Sequence, residues 1–137
     1  MQEPAFTVSH LSEIPSPREP KSGVALLRPG RRHFGIGAFG VNGSVAAEAG
    51  DWLVEEHTEV DDSGTRHEEL FVVLSGRARF TVDGVEVDAP AGTLVYVRDP
   101  AARRGARAEE PGTALVAVGG EPGVASSVSP WEETYFR

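Results

Sequence analysis

Four side chains in the middle of the chain have the types and spacing to hold a metal ion. His57 and Glu59 stand two residues apart, and so do His67 and Glu69. Side chains two apart on a β-strand point to the same face. If Glu69 faces an interior, Phe71 and Val73 face it too, and His67 joins them if the strand reaches back that far. Such a pocket gathers two imidazoles and two carboxylates. That donor set suits divalent iron, manganese, nickel, copper or zinc, and it comes close to the two-histidine, one-carboxylate pattern of non-haem iron centres. A carboxylate left outside the coordination sphere is available as a base. Without an ion, His67 or Tyr96 are the groups for acid–base work of the epimerase or lyase kind. The bland alternatives stand beside these: loop or rim histidines for His57 and His67, and simple packing for Trp52 and Tyr96.

A second charged feature runs from Arg98 to Arg107, where Arg98, Arg103, Arg104 and Arg107 fall within an otherwise acidic chain. One reading is a mouth that attracts a small anion. The other is a solvated edge strand whose like charges oppose self-pairing.

These groups need a scaffold, and the pattern around them is one of short strands. Sixteen glycines and ten prolines punctuate the chain, at the roughly eight- to twelve-residue intervals typical of a sandwich or barrel. Strands are predicted over Asp51 to His57, Glu69 to Ser75, Thr93 to Val97, Arg103 to Arg107 and Thr113 to Val118. Two dipeptides carry hairpin signals. Asn42-Gly43 lies between Phe39-Gly40-Val41 and Ser44-Val45-Ala46, and Asp83-Gly84 lies between Arg79 to Val82 and Val85 to Val87. Both tolerate the positive φ angles of a tight type I′ turn. The proline-rich stretch Ile14 to Pro20 reads as an extended arm. Ser129-Pro130-Trp131-Glu132 carries a capping serine and an N1 proline, which favour a helical turn. Trp131, Tyr135 and Phe136 would then pin the tail to the barrel or to a second subunit. The expected division is an arm over 1–22, one barrel over 23–120 and a tail over 121–137.

Bulk properties narrow the classes. The chain has 137 residues, the size of one domain, and no cysteine, so neither disulfides nor thiolate metal sites are available. A net charge of −8 disfavours nucleic acid and anionic membranes as partners. The longest apolar runs, such as Leu70 to Leu74, are too short to span a bilayer, and a cytoplasmic location is the default expectation. Gly35 to Gly40 has the spacing of a dinucleotide-binding loop, but no helix pattern follows it. No nucleotide cofactor is expected. Asn42-Gly43-Ser44 fits a glycosylation acceptor without any sign of secretion, and no Gly-x-Ser-x-Gly elbow occurs.

The stretch Gly50 to Gly76 resembles the first motif of the cupin superfamily. Gly50 is followed by six residues and then His57-Thr58-Glu59, and Glu69 is followed by six residues and then Gly76. The second motif is similar to Gly84, five residues and Pro90, continued by Ala91 to Val97. The resemblance implies an all-β fold: a single antiparallel jelly-roll β-barrel, with the extended arm before it and the short helical turn after it. It also implies a small organic ligand and, as an enzyme, an oxygenase or isomerase; a homodimer would bury alternate residues such as Leu70, Val72 and Leu74. The family's metal site is incomplete here. Its second-motif histidine belongs eleven residues after Gly92, where this chain has Arg103, and Glu59 stands for the second histidine of the first motif. Counting back from Glu69 without a gap instead puts that histidine pair on Ser63 and Thr65, which are poor ligands. Arg103 could pair with Glu69 or Glu59 and replace the metal, making a metal-free sensing module. Beside a bound metal it could hold a substrate carboxylate or phosphate.

Overall fold

Alternation of apolar and polar residues sets the strands, as expected for sheets with one buried face. The computed structural model describes residues 4–60 and 66–120. Its strands are β1 (Leu26–Pro29), β2 (Gly40–Val45), β3 (Trp52–His57), β4 (Glu68–Ser75), β5 (Arg77–Val82), β6 (Val85–Pro90), β7 (Leu94–Val97), β8 (Arg104–Ala108) and β9 (Ala114–Gly120), with one short helix, α1 (Gly30–Phe34). On β5, Ala78 and Phe80 are buried while Arg77 and Arg79 are exposed. On β9, Leu115 and Ala117 are buried.

Two antiparallel sheets result. One has the order β1-β2-β9-β4-β7, the other β3-β8-β5-β6. They face each other as a jelly roll whose two sheets are not joined into one closed ladder. Phe71 on β4 and Phe80 on β5 meet between them, with ring centroids 5.2 Å apart and planes tilted by 57°. Around that pair lie small residues, Ala78, Ala89, Ala106 and Ala117. The core is therefore lean, and the two phenyl rings supply much of its bulk.

The Asp83-Gly84 turn forms as its sequence demands. Both residues have positive φ, 46° and 81°, and β5 and β6 pair in register up to Val82 and Val85. The hairpin expected at Asn42-Gly43 does not form. β2 runs straight through both residues and pairs with β9 from Gly40 to Val45. Gly43 serves another purpose: a Cβ placed there would collide with the side chain of Leu11. Close packing, not backbone freedom, is what this glycine provides.

That contact also corrects the picture of the arm. Leu11–Glu13 forms one 3-10 turn, and Ile14 is buried. Arg28 Nη1 donates to Ile14 O at 2.8 Å, so the segment is anchored at Ile14 instead of extended throughout. α1, which the sequence pattern did not announce, ends at Gly35 in the left-handed region, φ 72°. The arginine-rich strand β8 is an inner strand, flanked by β3 and β5, so the edge-strand reading falls. No helix among the described residues is long and apolar enough to cross a membrane. The helical turn expected at Ser129 lies outside the described residues.

Candidate metal centre

The site gathers at one end of the jelly roll. His57 closes β3, Glu59 sits in the loop after it, His67 precedes β4, Glu69 is the second residue of β4 and Arg104 opens β8. The loop is tied at both ends. Glu59 N–H donates to Pro100 O at 2.8 Å and His67 N–H to Glu59 O at 3.2 Å. β3 reaches the site through two register shifts against β8, so that His57 stands opposite Arg104. Such bulges re-aim side chains beside sites.

His57 and Glu59 face each other, Nε2 to Oε1 at 2.7 Å. His57 Nδ1 lies 2.8 Å from Glu55 O, which fixes the ring. His67 Nδ1 stands 3.8 Å from Glu59 Oε2. Glu69 accepts from Arg104 Nη1 at 2.9 Å. The ligand atoms of His57, Glu59 and Glu69 all lie within 4.8 Å of one another. His67 adjoins this trio through Glu59.

Arg104 is the residue that spacing alone missed. Arg103 instead points outward, to Glu56 at 3.2 Å, with 61% of its side chain exposed. Arg104 is fully buried. Its Nε donates to Ala102 O at 2.9 Å and its Nη2 to Asp99 O at 3.0 Å. The pairing with Glu69 expected of Arg103 is made by its neighbour. Strand alternation carried the signal: Arg104, Ala106 and Ala108 share the buried face of β8, and alanines suit an inner face better than Arg103 or Arg107.

The electrostatics follow from burial and charge. Burial and the neighbouring Glu59 charge push the Glu69 carboxyl up to about 7, against the pull of Arg104. Burial acts on Glu59 too, but the His57 hydrogen bond and the charges of His57, Arg104 and His67 outweigh it and lower its pKa. The Glu59 hydrogen bond raises His57, against the effect of burial. Setting the histidines aside, two carboxylates face one guanidinium. With both carboxylates ionised the cluster is short of one positive charge, which a proton on His57 or Glu69, or a metal ion, can supply.

Beside the cluster opens a cavity of about 510 Å³, within the range of small-molecule sites. Its charged lining is mostly carboxylate, with Glu55, Glu56, Glu59 and Glu69 against Arg18. The other sequence candidates lie elsewhere. Tyr96 is on the outer sheet face, 46% exposed, and donates to Glu68 Oε2 at 2.6 Å. Arg98 stacks on Tyr96 and Arg107 on Trp52. The expected anion-attracting mouth is therefore absent from this cavity: three of its four arginines are engaged on the surface and the fourth is buried.

The family model for the cupin domain matches residues 50–118. The chain belongs to the cupins. Known structures agree on the fold. A protein with a double-stranded β-helix domain from Klebsiella pneumoniae has a TM-score of 0.62 at 13% identity, covering 90% of this chain and 99% of its own. A cupin 2 conserved barrel domain protein from Salinispora arenicola gives 0.60 at 18% identity, with coverage of 87% and 92%. A cupin protein from Bacteroides fragilis gives 0.59 at 16%, with coverage of 82% and 88%. No curated protein matches the sequence. The cupin jelly roll is compatible with small-ligand binding, and His57, Glu59 and Glu69 form a group that could hold a metal ion.

Proposed function

We propose that this cupin binds a small organic molecule at a divalent transition-metal centre held by His57, Glu59 and Glu69, with His67 alongside. The observation that carries the reading is the convergence of those three ligand atoms within 4.8 Å, in a cluster one positive charge short and open to a ligand-sized cavity. Imidazole and carboxylate donors fit iron, manganese, nickel, copper or zinc. Bound there, such an ion would supply Lewis acidity toward a ligand oxygen. The chain's own part is to position the donors, with Arg104 holding Glu69 and Glu55 O holding the His57 ring. Oxygenase and isomerase chemistry are the reaction classes to screen first.

A metal-free binding module is the second reading, favoured by the Arg104–Glu69 pair at 2.9 Å. Titration of chelator-treated protein with manganese, nickel and zinc separates the two. Binding at one equivalent, lost in Glu69→Gln and His57→Ala, supports the metal centre. Full affinity in both variants would sink it. The reading also includes a homodimer through the outer face of the five-stranded sheet, where Leu70 pairs with Tyr96 and Val72 with Leu94.

A further inference from the structure

Four large apolar side chains reach the surface from the arm, α1 and the turn after it. Phe6 is 74% exposed, Val8 80%, Phe34 37% and Phe39 43%. The fold brings them into one region. Ser9 Oγ and His33 Nε2 meet at 2.8 Å, which ties the arm beside Val8 to α1. Phe34 ends α1, and Phe39 stands just before β2. The His33 ring sits edge-on to Phe34, with centroids 5.0 Å apart. The same region is basic. Arg28, Arg31 and Arg32 come with no acidic residue between them, in a chain of net charge −8, and Arg32 and His33 are exposed. Exposed apolar surface rimmed by charge marks a contact site.

The chain carries a complement to this patch. Residues 121–137 hold Glu121, Glu132 and Glu133 against Arg137 alone, together with Trp131, Tyr135 and Phe136. Their rings suit the exposed phenylalanines and their carboxylates suit the arginines. Trp, Tyr and Arg are the side chains that most often anchor interfaces. The exit point is favourable as well. Gly119 on β9 pairs with Gly40 on β2, and the antiparallel register directs the chain beyond Gly119 past Phe39. The seventeen residues after Gly120 can span up to roughly 55 Å, whereas α1 is only about 8 Å long. We propose that segment 121–137 docks back on its own chain, over Phe6, Val8, Phe34 and Phe39, with Glu132 and Glu133 toward Arg32. Docking on the same chain follows from the exit beside Phe39. The docked segment holds the arm against α1. Since the arm also places Arg18 on the cavity wall, docking steadies one side of the cavity.

The chain has no cysteine, so Thr134→Cys gives the full chain a single site for a nitroxide label. In NMR spectra of isotope-labelled protein, the nitroxide should bleach the amide signals of Val8, His33, Phe34 and Phe39 and spare that of Val85. Arg32→Glu should restore the bleached signals, and adding Glu132→Arg with Glu133→Arg should bleach them again. A second readout needs no label. In a Trp52→Phe background, Trp131 fluorescence should shift to the red when Phe34→Ser and Phe39→Ser are introduced together. Bleaching at Leu74, Leu94 and Tyr96 would put the segment on the outer sheet face instead. Patch bleaching that passes from nitroxide-labelled to separately isotope-labelled molecules would put it on a second copy. Bleaching of no described residue would leave the segment undocked. Each of these outcomes overturns the proposal, as does patch bleaching that survives both Arg32→Glu and the paired phenylalanine substitutions.

Discussion

Arg104 carries a full charge in a position with no exposed surface, and that position is tolerable only because Glu69 and backbone carbonyls take up its N–H groups. Removing the guanidinium leaves the Glu69 carboxyl buried and unpaired. Arg104→Ala should therefore destabilise the fold by about 3–5 kcal/mol in denaturant titration, the cost of breaking a buried pair. Arg103→Ala removes an exposed pair and should change stability by no more than about 1 kcal/mol. Equal effects in the two variants would contradict the assignment of the buried arginine.

Glu69 and His57 also make stability depend on pH. Both have folded pKa values above their ordinary ones. The folded state thus holds the extra proton of Glu69 between about pH 4.5 and 7 and that of His57 above its ordinary 6.5, so stability falls as pH rises through those windows. Glu59 acts in the opposite sense: its contribution is present above its ordinary value near 4.5 and is lost as pH falls through its lowered folded value. Melting temperatures of metal-free protein should peak at mildly acidic pH and decline toward pH 8. Glu69→Gln should flatten the decline. A wild-type melting temperature that rises from pH 5 to pH 8 would contradict the sign.

At the scale of elements, two glycines that look alike in the sequence do different work. Gly84 has φ 81° and an open surrounding, so Gly84→Ala should cost about 1 kcal/mol through backbone strain alone. Gly43 is extended strand packed under Leu11, so Gly43→Val should cost about 1–3 kcal/mol by overpacking, and Leu11→Ala should relieve part of it. Additive effects in that double-mutant cycle would deny the contact. The contrast shows what the sequence could reveal. Asp83-Gly84 was legible because the turn is local: two residues with positive φ close one hairpin. Asn42-Gly43 was not, because a distant leucine decides what the glycine is for. Glu69 was placed inward by its alternation with Phe71 and Val73 on one regular strand. Arg104 escaped because counting residues from Gly92 ignores how the Asp99–Ala102 turn sets the phase of β8.

Across the whole molecule, the five-stranded sheet keeps an apolar outer face. Leu94 is 61% exposed and Leu74 52%, beside the half-buried Leu70 and Val72 on β4. A second copy covering this face would bury the patch. Light scattering should then give twice the monomer mass, and Leu94→Lys should return it to the monomer mass. A monomeric wild type would contradict the dimer.

The charge deficit at His57, Glu59 and Glu69 is the central claim, and metal content tests it most directly. Protein purified without a histidine tag or chelator should carry close to one equivalent of a transition metal by inductively coupled plasma mass spectrometry, and Glu69→Gln should lose it. Wild-type protein that holds none, and takes up none from excess iron, nickel or zinc, would contradict the metal centre and leave Arg104, with protons on His57 and Glu69, to balance the cluster.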